Sequence, residues 1–448
     1  MPNTYVNKVQ LADNTVLLDV SGTTAVASDV ASGKTFTLAT GETATGTGTI
    51  APVTVPERDV NFYDYDGTIV YSYTVTDFLA LTAMPANPDH STDDIPLTSQ
   101  GWNWTLADAK DYLQNSCTAP HQFLEIGQCY TPTDGKSHFI IELTGENDLS
   151  ITAQFNSANG GLTVYWGDGS TSTQSSTASS FSISHTYSAK GIYHVKLEGN
   201  TSGGTYPFRS NATNFKKAIK KAFLTNKLTF VNSGTFEYCY QLEYITLPID
   251  ATVTINASNQ YMFGYCSSLK HITLPPTMDA IGQLMFEYCS KLKSISIAKT
   301  TATGTSAKIY PSAFIYCVSL EIVTIPDTII YIGDASSSDT TARYSFAYCY
   351  KLRKLVIPSS VKILSPNSFT YCYSLKEVIL PTSITHILNN AFRYSYNLIW
   401  VWSKKTTAPT LGTNVFSSPN KIYVASSSYT SATNWSDYAS IMEVGSPV

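Results

Sequence analysis

The chain has 448 residues, 33 acidic against 28 basic side chains, and only 14% charged residues. That balance leaves no basic footprint for nucleic acid, no apolar run is long enough to cross a membrane, and the opening MPNTYVNKVQLADNTV lacks the basic and apolar segments of a secretory leader. The length predicts three or four domains, and low charge with abundant Ser, Thr and Tyr predicts a mainly β, multidomain protein of the extracellular kind rather than a cytosolic enzyme.

Residues 1–55 form the first predicted module and are almost free of aromatic side chains. Gly33-Lys34-Thr35 invites a phosphate-loop reading, but such a loop needs glycine where Ser28 stands. The phrase V-x-x-G-K-T, followed by G-x-x-x-x-G-T, resembles a small module of phage and prophage tail and fibre proteins.

Residues 56–132 form the second module. Asn61 to Thr76 alternates around Asp66-Gly67, which predicts a hairpin. Asp64 and Asp66 could open a calcium loop, but its twelfth position would be Val75 instead of Glu. Thr105 suits the cap of a helix with Asp108 in its first turn. The phrases P-A-N-P-x-H (85–90) and G-W-N-W (101–104) resemble internalin-type B-repeats, which implies a small β-grasp-like α+β module of a kind that recurs in phage structural proteins.

In residues 133–203, Val164 and Trp166 alternate, as do Tyr193, Val195 and Leu197, giving strands with one buried face. Gly167-Asp168-Gly169 is a tight turn. VYWGDGS and HTYSAKGIYHVKL resemble the PKD-like β-sandwich, in which Asp168 and His185 would fix turns rather than bind metal or catalyse. FKKAIKKAF (215–223) follows, and its lysines predict a solvated edge on the first coil of the next domain.

From Phe236 to about Trp402 one template recurs seven times: F-x-Y-C-x-x-L-x-x-[I/V/L]-x-[I/L]-P, starting at Phe236, Phe263, Phe286, Phe314, Phe346, Phe369 and Phe392. In the clearest copy Leu375, Val378 and Leu380 point to one side of a short strand that Pro381 ends. Ile384 and Ile387, three apart, then predict a tight helical turn. A single coil cannot bury its apolar side alone, whereas stacked coils share a core. Cys239, Cys266, Cys289, Cys317, Cys349 and Cys372 occupy one inward slot, taken by Ser395 in the last copy, and are expected to be buried free thiols. Cys117 and Cys129 are expected to stay unpaired as well. The repeat resembles the BspA-like leucine-rich repeat, which implies a solenoid over 204–402 and a cap over 403–448, with Ile422–Val424 as the last strand and a helix from Ser428 to Met442. Ser403 predicts that the solenoid ends there. The insertions near 256–260, 299–305 and 333–345 are expected to be rim loops.

Catalytic spacings are missing: no H-E-x-x-H, C-x-x-C, G-x-S-x-G or P-loop occurs. No enzyme, cofactor or metal is therefore expected. Binding is the expected activity, through outward strand positions lined up by stacking: Tyr244/Thr246, His271/Thr273, Ile322/Thr324, Lys354/Val356 and Glu377/Ile379. Tyr240, Tyr350, Tyr373 and Tyr396, one residue past the inward slot, would form a second stripe. These resemblances imply a phage virion protein of tail-fibre or baseplate type. Its N-terminal modules would dock to other virion proteins, the sandwich would act as a spacer, and the solenoid would bind a host-surface or mucosal protein or glycan. A passive decoration protein and a bacterial cell-surface adhesin are the alternatives. A homo-oligomer is compatible with a fibre, although no heptad pattern supports one.

Overall fold

A computed structural model describes four short strands within residues 1–58 and most of 59–447. Outside the description lie 118–121, 146–148, 156–160, 176–180, 200–212, 227–233, 251–259, 300–306, 338–340 and positions 279, 335, 342 and 418. The expectation at Gly33-Lys34 and most of the rim loops fall there. Residues 1–58 are one unit and 59–448 another. In the first, β1 (Lys8–Gln10) pairs antiparallel with β2 (Val16–Asp19), and β3 (Thr35–Thr37) with β4 (Thr43–Thr45).

The second unit opens with β5 (Val60–Tyr63) and β6 (Ile69–Tyr73), joined by the predicted hairpin, where Gly67 has φ +86°. Both hairpin carboxylates have partners: Asp64 accepts from the Tyr65 amide and lies 2.8 Å from His90 Nε2, and Asp66 accepts from the Thr68 amide. Helix α1 (Val75–Ala80), β7 (Leu97–Trp102), α2 (Leu106–Asp111) and β8 (Leu124–Pro132) follow. Thr105 caps α2 by accepting from the Asp108 amide. The sheet order is β6-β5-β8-β7, with β5 and β8 parallel. Phe62, Phe78, Trp102, Trp104 and Tyr112 pack with Leu124 and Ile126 on its inner side.

The next strands are β9 (Ser137–Leu143), β10 (Ser150–Phe155), β11 (Leu162–Tyr165), β12 (Thr171–Gln174), β13 (Phe181–Thr186) and β14 (Gly191–Gly199). β10 and β13 make one layer of a sandwich; β12-β11-β14-β9 make the other. Helix α3 (Asn214–Ala218) leads into β15 (Ile219–Phe223), which pairs antiparallel with β9 and parallel with β16 (Tyr244–Thr246), the first solenoid strand. One six-stranded sheet therefore joins the sandwich to the first solenoid strand, and one apolar core runs from the sandwich through the solenoid to Trp435. The sandwich, expected from sequence to act as a spacer, is joined to the solenoid strand to strand: β9 has β15 as its neighbour. The lysine-rich segment is corrected in part, since Lys216 is only 2% exposed and donates Nζ to the Gly234 carbonyl.

Each coil then contributes a strand to a parallel wall: β17 (His271–Leu274), β18 (Ser294–Ile297), β20 (Ile322–Thr324), β22 (Lys354–Val356), β24 (Glu377–Leu380), β26 (Trp400–Ser403), β28 (Lys421–Val424) and β29 (Met442–Val444). The predicted helical turn after Pro381 is instead a second ladder of two-residue strands: β19 (Lys308–Ile309), β21 (Tyr331–Ile332), β23 (Ile363–Leu364), β25 (His386–Ile387) and β27 (Thr410–Leu411). Two residues are too few for a local helix, and hydrogen bonds to the neighbouring coil win. The wall continues past Ser403, whose buried hydroxyl lies 2.8 Å from that of Tyr429. The cap helix is two separate 3-10 turns, Ser427–Ser431 and Ser436–Ile441, interrupted by Asn434 at φ +62°. Trp435, fully buried, closes the core and donates to the Pro409 carbonyl.

Inside, the template phenylalanines stack from Phe236 to Phe416, with centroids 4.8–5.7 Å apart in every step. All eight cysteines are buried free thiols. From the second coil on, each slot thiol donates to the template Phe carbonyl of the preceding coil, as Cys289 does to Phe263 at 3.1 Å. Ser395 donates to Phe369 at the same distance, which explains how serine fits there.

Candidate binding surface

The parallel wall is not an open face over β17 to β22. Strand β8 and the segment Trp102–Ser116 lie across it. The Asn103 side chain donates to the carbonyls of Leu274 (2.9 Å) and Ser296 (3.2 Å), while its oxygen accepts from the Gly127 amide. Trp104 Nε1 donates to the Ile297 carbonyl, and the Tyr112 hydroxyl to that of Ile325. The Glu125 amide donates to Thr324 Oγ1, and Ser296 Oγ to the Glu125 carbonyl. A Cβ on Gly127 would stand 2.0 Å from Thr273 Oγ1, so only glycine lets the two backbones approach this closely.

The expected ligand surface is thus corrected: none of its ten residues is exposed. Thr246, His271, Thr273, Thr324, Val356 and Ile379 are all 5% exposed or less, and Val356 belongs to the apolar core of the covering module, with Ile322 packed against it. Tyr244 takes a hydrogen bond from Lys270 and meets Tyr65 edge-on. Lys354 and Glu377 are half-buried. Burial pushes the His271 imidazole down to about 4, leaving it neutral against the Tyr63 ring. The cause of the correction is chemical: small polar wall residues such as Thr273 and Ser296 suit a docked strand as well as they suit an external ligand.

The tyrosine before each inward slot tells a different story. Tyr238, Tyr265, Tyr288, Tyr316, Tyr348, Tyr371 and Tyr394 all have φ between +56° and +64°, in the left-handed region. Their rings form a continuous file, with centroids 4.4–5.1 Å apart and planes 11–26° from parallel. Each is half-buried or exposed. Four residues earlier every coil has a second left-handed position: Gly234, Tyr261, Leu284, Ser312, Tyr344, Asn367 and Asn390. The same backbone geometry tolerates many residues there. The backbone alone therefore does not demand tyrosine in the file. Burial, the Glu287 carboxylate beside Tyr265 and the neighbouring phenols push the Tyr265 and Tyr348 hydroxyls up to about 12, so they remain protonated donors at ordinary pH.

The second stripe is continuous over the last three coils. Tyr350, Tyr373 and Tyr396 are near parallel (12° and 9°), with centroids 5.2 and 6.4 Å apart. Each meets the inner file edge-on, as Tyr373 does Tyr371 at 90°. Tyr240 stands apart at the first coil, because Ser267, Ser290 and Val318 hold the slot between. In the sandwich, Asp168 bonds His185 (2.7 Å) and Ser170 (2.6 Å), and the imidazole lies on the Trp166 ring. That cluster holds the Gly167–Gly169 turn.

The model of the BspA type leucine rich repeat region matches residues 208–342 and 339–439, more than half of the chain. The chain belongs to the BspA-type leucine-rich repeat family. Among solved structures, this BspA-type protein is similar to the leucine-rich repeat protein of T. pallidum, at 25% identity over 38% of this chain and 76% of that one, with a TM-score of 0.29. It also matches a leucine-rich cell surface protein from Faecalibacterium prausnitzii (23% identity, 50% of this chain and 62% of that one, TM-score 0.28). A third match is the pneumococcal vaccine antigen PcpA (15% identity, 49% and 64%, TM-score 0.26). No curated protein matches the chain.

Proposed function

We propose that this BspA-type protein is a non-catalytic recognition component of a phage virion, of tail-fibre or baseplate type, and that it binds its target through the tyrosine-lined edge of the solenoid. Its target is a host-surface or mucosal ligand. The observation that carries the binding role is the file of seven left-handed tyrosines. A non-glycine residue in that conformation costs about 1–2 kcal/mol, and an offset aromatic pair returns about 0.5–1.5 kcal/mol. The two nearly cancel, so stability gives little reason to keep tyrosine over asparagine or glycine. What the file adds is a comb of phenol edges and hydroxyls on the outside. Exposed tyrosines supply contact area at low entropic cost and are favoured at interfaces.

The virion setting rests on the likeness of residues 1–132 to phage tail and fibre modules and of 133–203 to PKD-like sandwiches. Because residues 59–132 lie on the solenoid wall, attachment to the particle is assigned to residues 1–58. A bacterial cell-surface adhesin is the second reading, favoured by the general placement of BspA-type proteins at the cell surface. Immunogold labelling of residues 1–58 on purified particles and on intact producing cells separates them. Label on particles supports the virion role; label confined to the envelope of unlysed cells overturns it.

A further inference from the structure

The inner file places one oxidisable group per coil against the next. From Tyr288 to Tyr394 the ring centroids follow at 4.5, 4.4, 4.6 and 4.6 Å, with planes 11–25° from parallel. Facing carbons of such a pair meet at van der Waals separation, about 3.5–4 Å. The Tyr316 hydroxyl lies beside those of Tyr288 and Tyr348, so the ring carbons flanking the oxygens are neighbours as well. The outer rims reach solvent: Tyr288 is 38% exposed and the others are half-buried. The eight thiols, which would otherwise be oxidised first, are all buried. An oxidant in solution therefore meets the phenols before the cysteines.

Independently of what the edge binds, we propose that the file is a site of oxidative cross-linking, at which dityrosine bonds join successive coils. The co-reactant is hydrogen peroxide activated by a haem peroxidase. Each of two neighbouring phenols gives up one electron and its hydroxyl proton, leaving two phenoxyl radicals. The unpaired electron spreads over the oxygen and the ortho carbons, in orbitals that stand perpendicular to the ring. Stacked faces are thus the arrangement in which two such radicals couple. One carbon–carbon bond forms between ortho carbons, and the hydrogen on each then moves as a proton to its own ring oxygen, restoring both phenols. The pair has lost two hydrogen atoms, and one peroxide has become two waters. A radical formed at one ring passes to the next by electron and proton exchange, so radicals meet on neighbouring coils. Tyr350 and Tyr373, 5.2 Å apart and 12° from parallel, form an outer pair of the same kind. Each bond closes a loop between two coils and so constrains the unfolded chain, as a disulfide does.

The test treats the full chain, folded and dilute, with a haem peroxidase and hydrogen peroxide, and maps linked peptides by mass spectrometry. Links are expected within single molecules, between file tyrosines of successive coils, with Tyr316 joined to Tyr288 or Tyr348 as the leading product. Each link removes two hydrogens from the intact mass and adds dityrosine fluorescence, and linked protein should melt at a higher temperature than the untreated chain. Tyr316→Phe with Tyr371→Phe keeps the rings but leaves Tyr348 without a phenol stacked on either side, and should abolish its links to neighbouring coils. Tyr423→Phe, outside the file, should leave the map unchanged. In denaturant the same treatment should scatter links over the chain. Links in the folded protein that fall mainly on tyrosines outside the file, that join only separate molecules, or that fail to form overturn the proposal. The wild-type map decides this whether or not the double variant folds.

Discussion

The Tyr63 ring lies on the imidazole of His271, 4.7 Å between centroids and 18° from parallel, joining the β5–β6 hairpin to the second solenoid strand. With Gly127 against Thr273, it makes the 59–132 module a fixed cover of the wall. Gly127→Ala should destabilise the chain by about 1–3 kcal/mol through overpacking. Thr273→Gly removes the atoms in the way. Because the two changes meet at one contact, the double variant should be more stable than the sum of the singles. Chemical denaturation of the four proteins measures the coupling; strict additivity would mean the cover is not seated as described.

The thiol ladder makes a separate prediction. Each slot residue needs a small side chain that donates to the Phe carbonyl of the previous coil. Ser395→Cys should therefore be nearly neutral. Cys317→Ser should cost less than Cys317→Ala, which leaves the Phe286 carbonyl without that donor and opens a void (a difference of about 1 kcal/mol). Burial raises the thiol pKa at Cys266, Cys289, Cys317, Cys349 and Cys372, and takes Cys117 and Cys129 to about 12. Native protein should react with no thiol reagent, and denatured protein should titrate eight thiols. Rapid labelling of any slot cysteine in the native state would contradict the stacked arrangement.

The repeat was legible because Phe, Tyr, Cys and Leu recur at fixed offsets, and each offset has a fixed direction in a coil. The hairpin at Asp66-Gly67 and the cap at Thr105 were legible because turn and cap chemistry is local. The covering of the wall was not, since it joins residues more than 140 positions apart, such as Gly127 and Thr273. One signal pointed there. Glycine in the middle of β8, LEIGQCY, whose seven residues are all buried, marks a close backbone approach. The cap helix was misread because the alternative local geometry at Asn434 has no apolar pattern to announce it.

Tyr316 has φ +62° and stacks on Tyr288 (4.5 Å) and Tyr348 (4.4 Å). Tyr316→Phe should leave stability almost unchanged. Tyr316→Asn relieves the backbone and loses two ring contacts, so a net change within about 2 kcal/mol is expected. Tyr316→Val keeps the strain and loses the rings, and should be the worst of the three. Thermal melts rank them. If asparagine proved as damaging as valine, the file would be a packing device first, and packing alone would account for its tyrosines.

Two buried groups at the cover respond to pH in opposite senses. Burial lowers the His271 pKa from 6.5 to about 4, so the unfolded chain binds a proton that the folded chain refuses. That part of the stability is complete above 6.5 and is lost as pH falls toward 4, by about 3 kcal/mol at most. Burial raises the Glu125 pKa, despite hydrogen bonds from Tyr63 and Asn61, and one of its carboxylate oxygens has no partner. Its contribution is full below the ordinary carboxylate range and is lost as pH rises through the raised value. Glu125→Gln should therefore stabilise the protein at pH 7 and change little near pH 4. His271→Phe, which keeps a ring against Tyr63, should flatten the decline between pH 6.5 and 4. Urea unfolding across that range, followed by hydrogen exchange of the β8 amides, reads both. A wild-type decline that persists in His271→Phe would assign it to groups outside the cover.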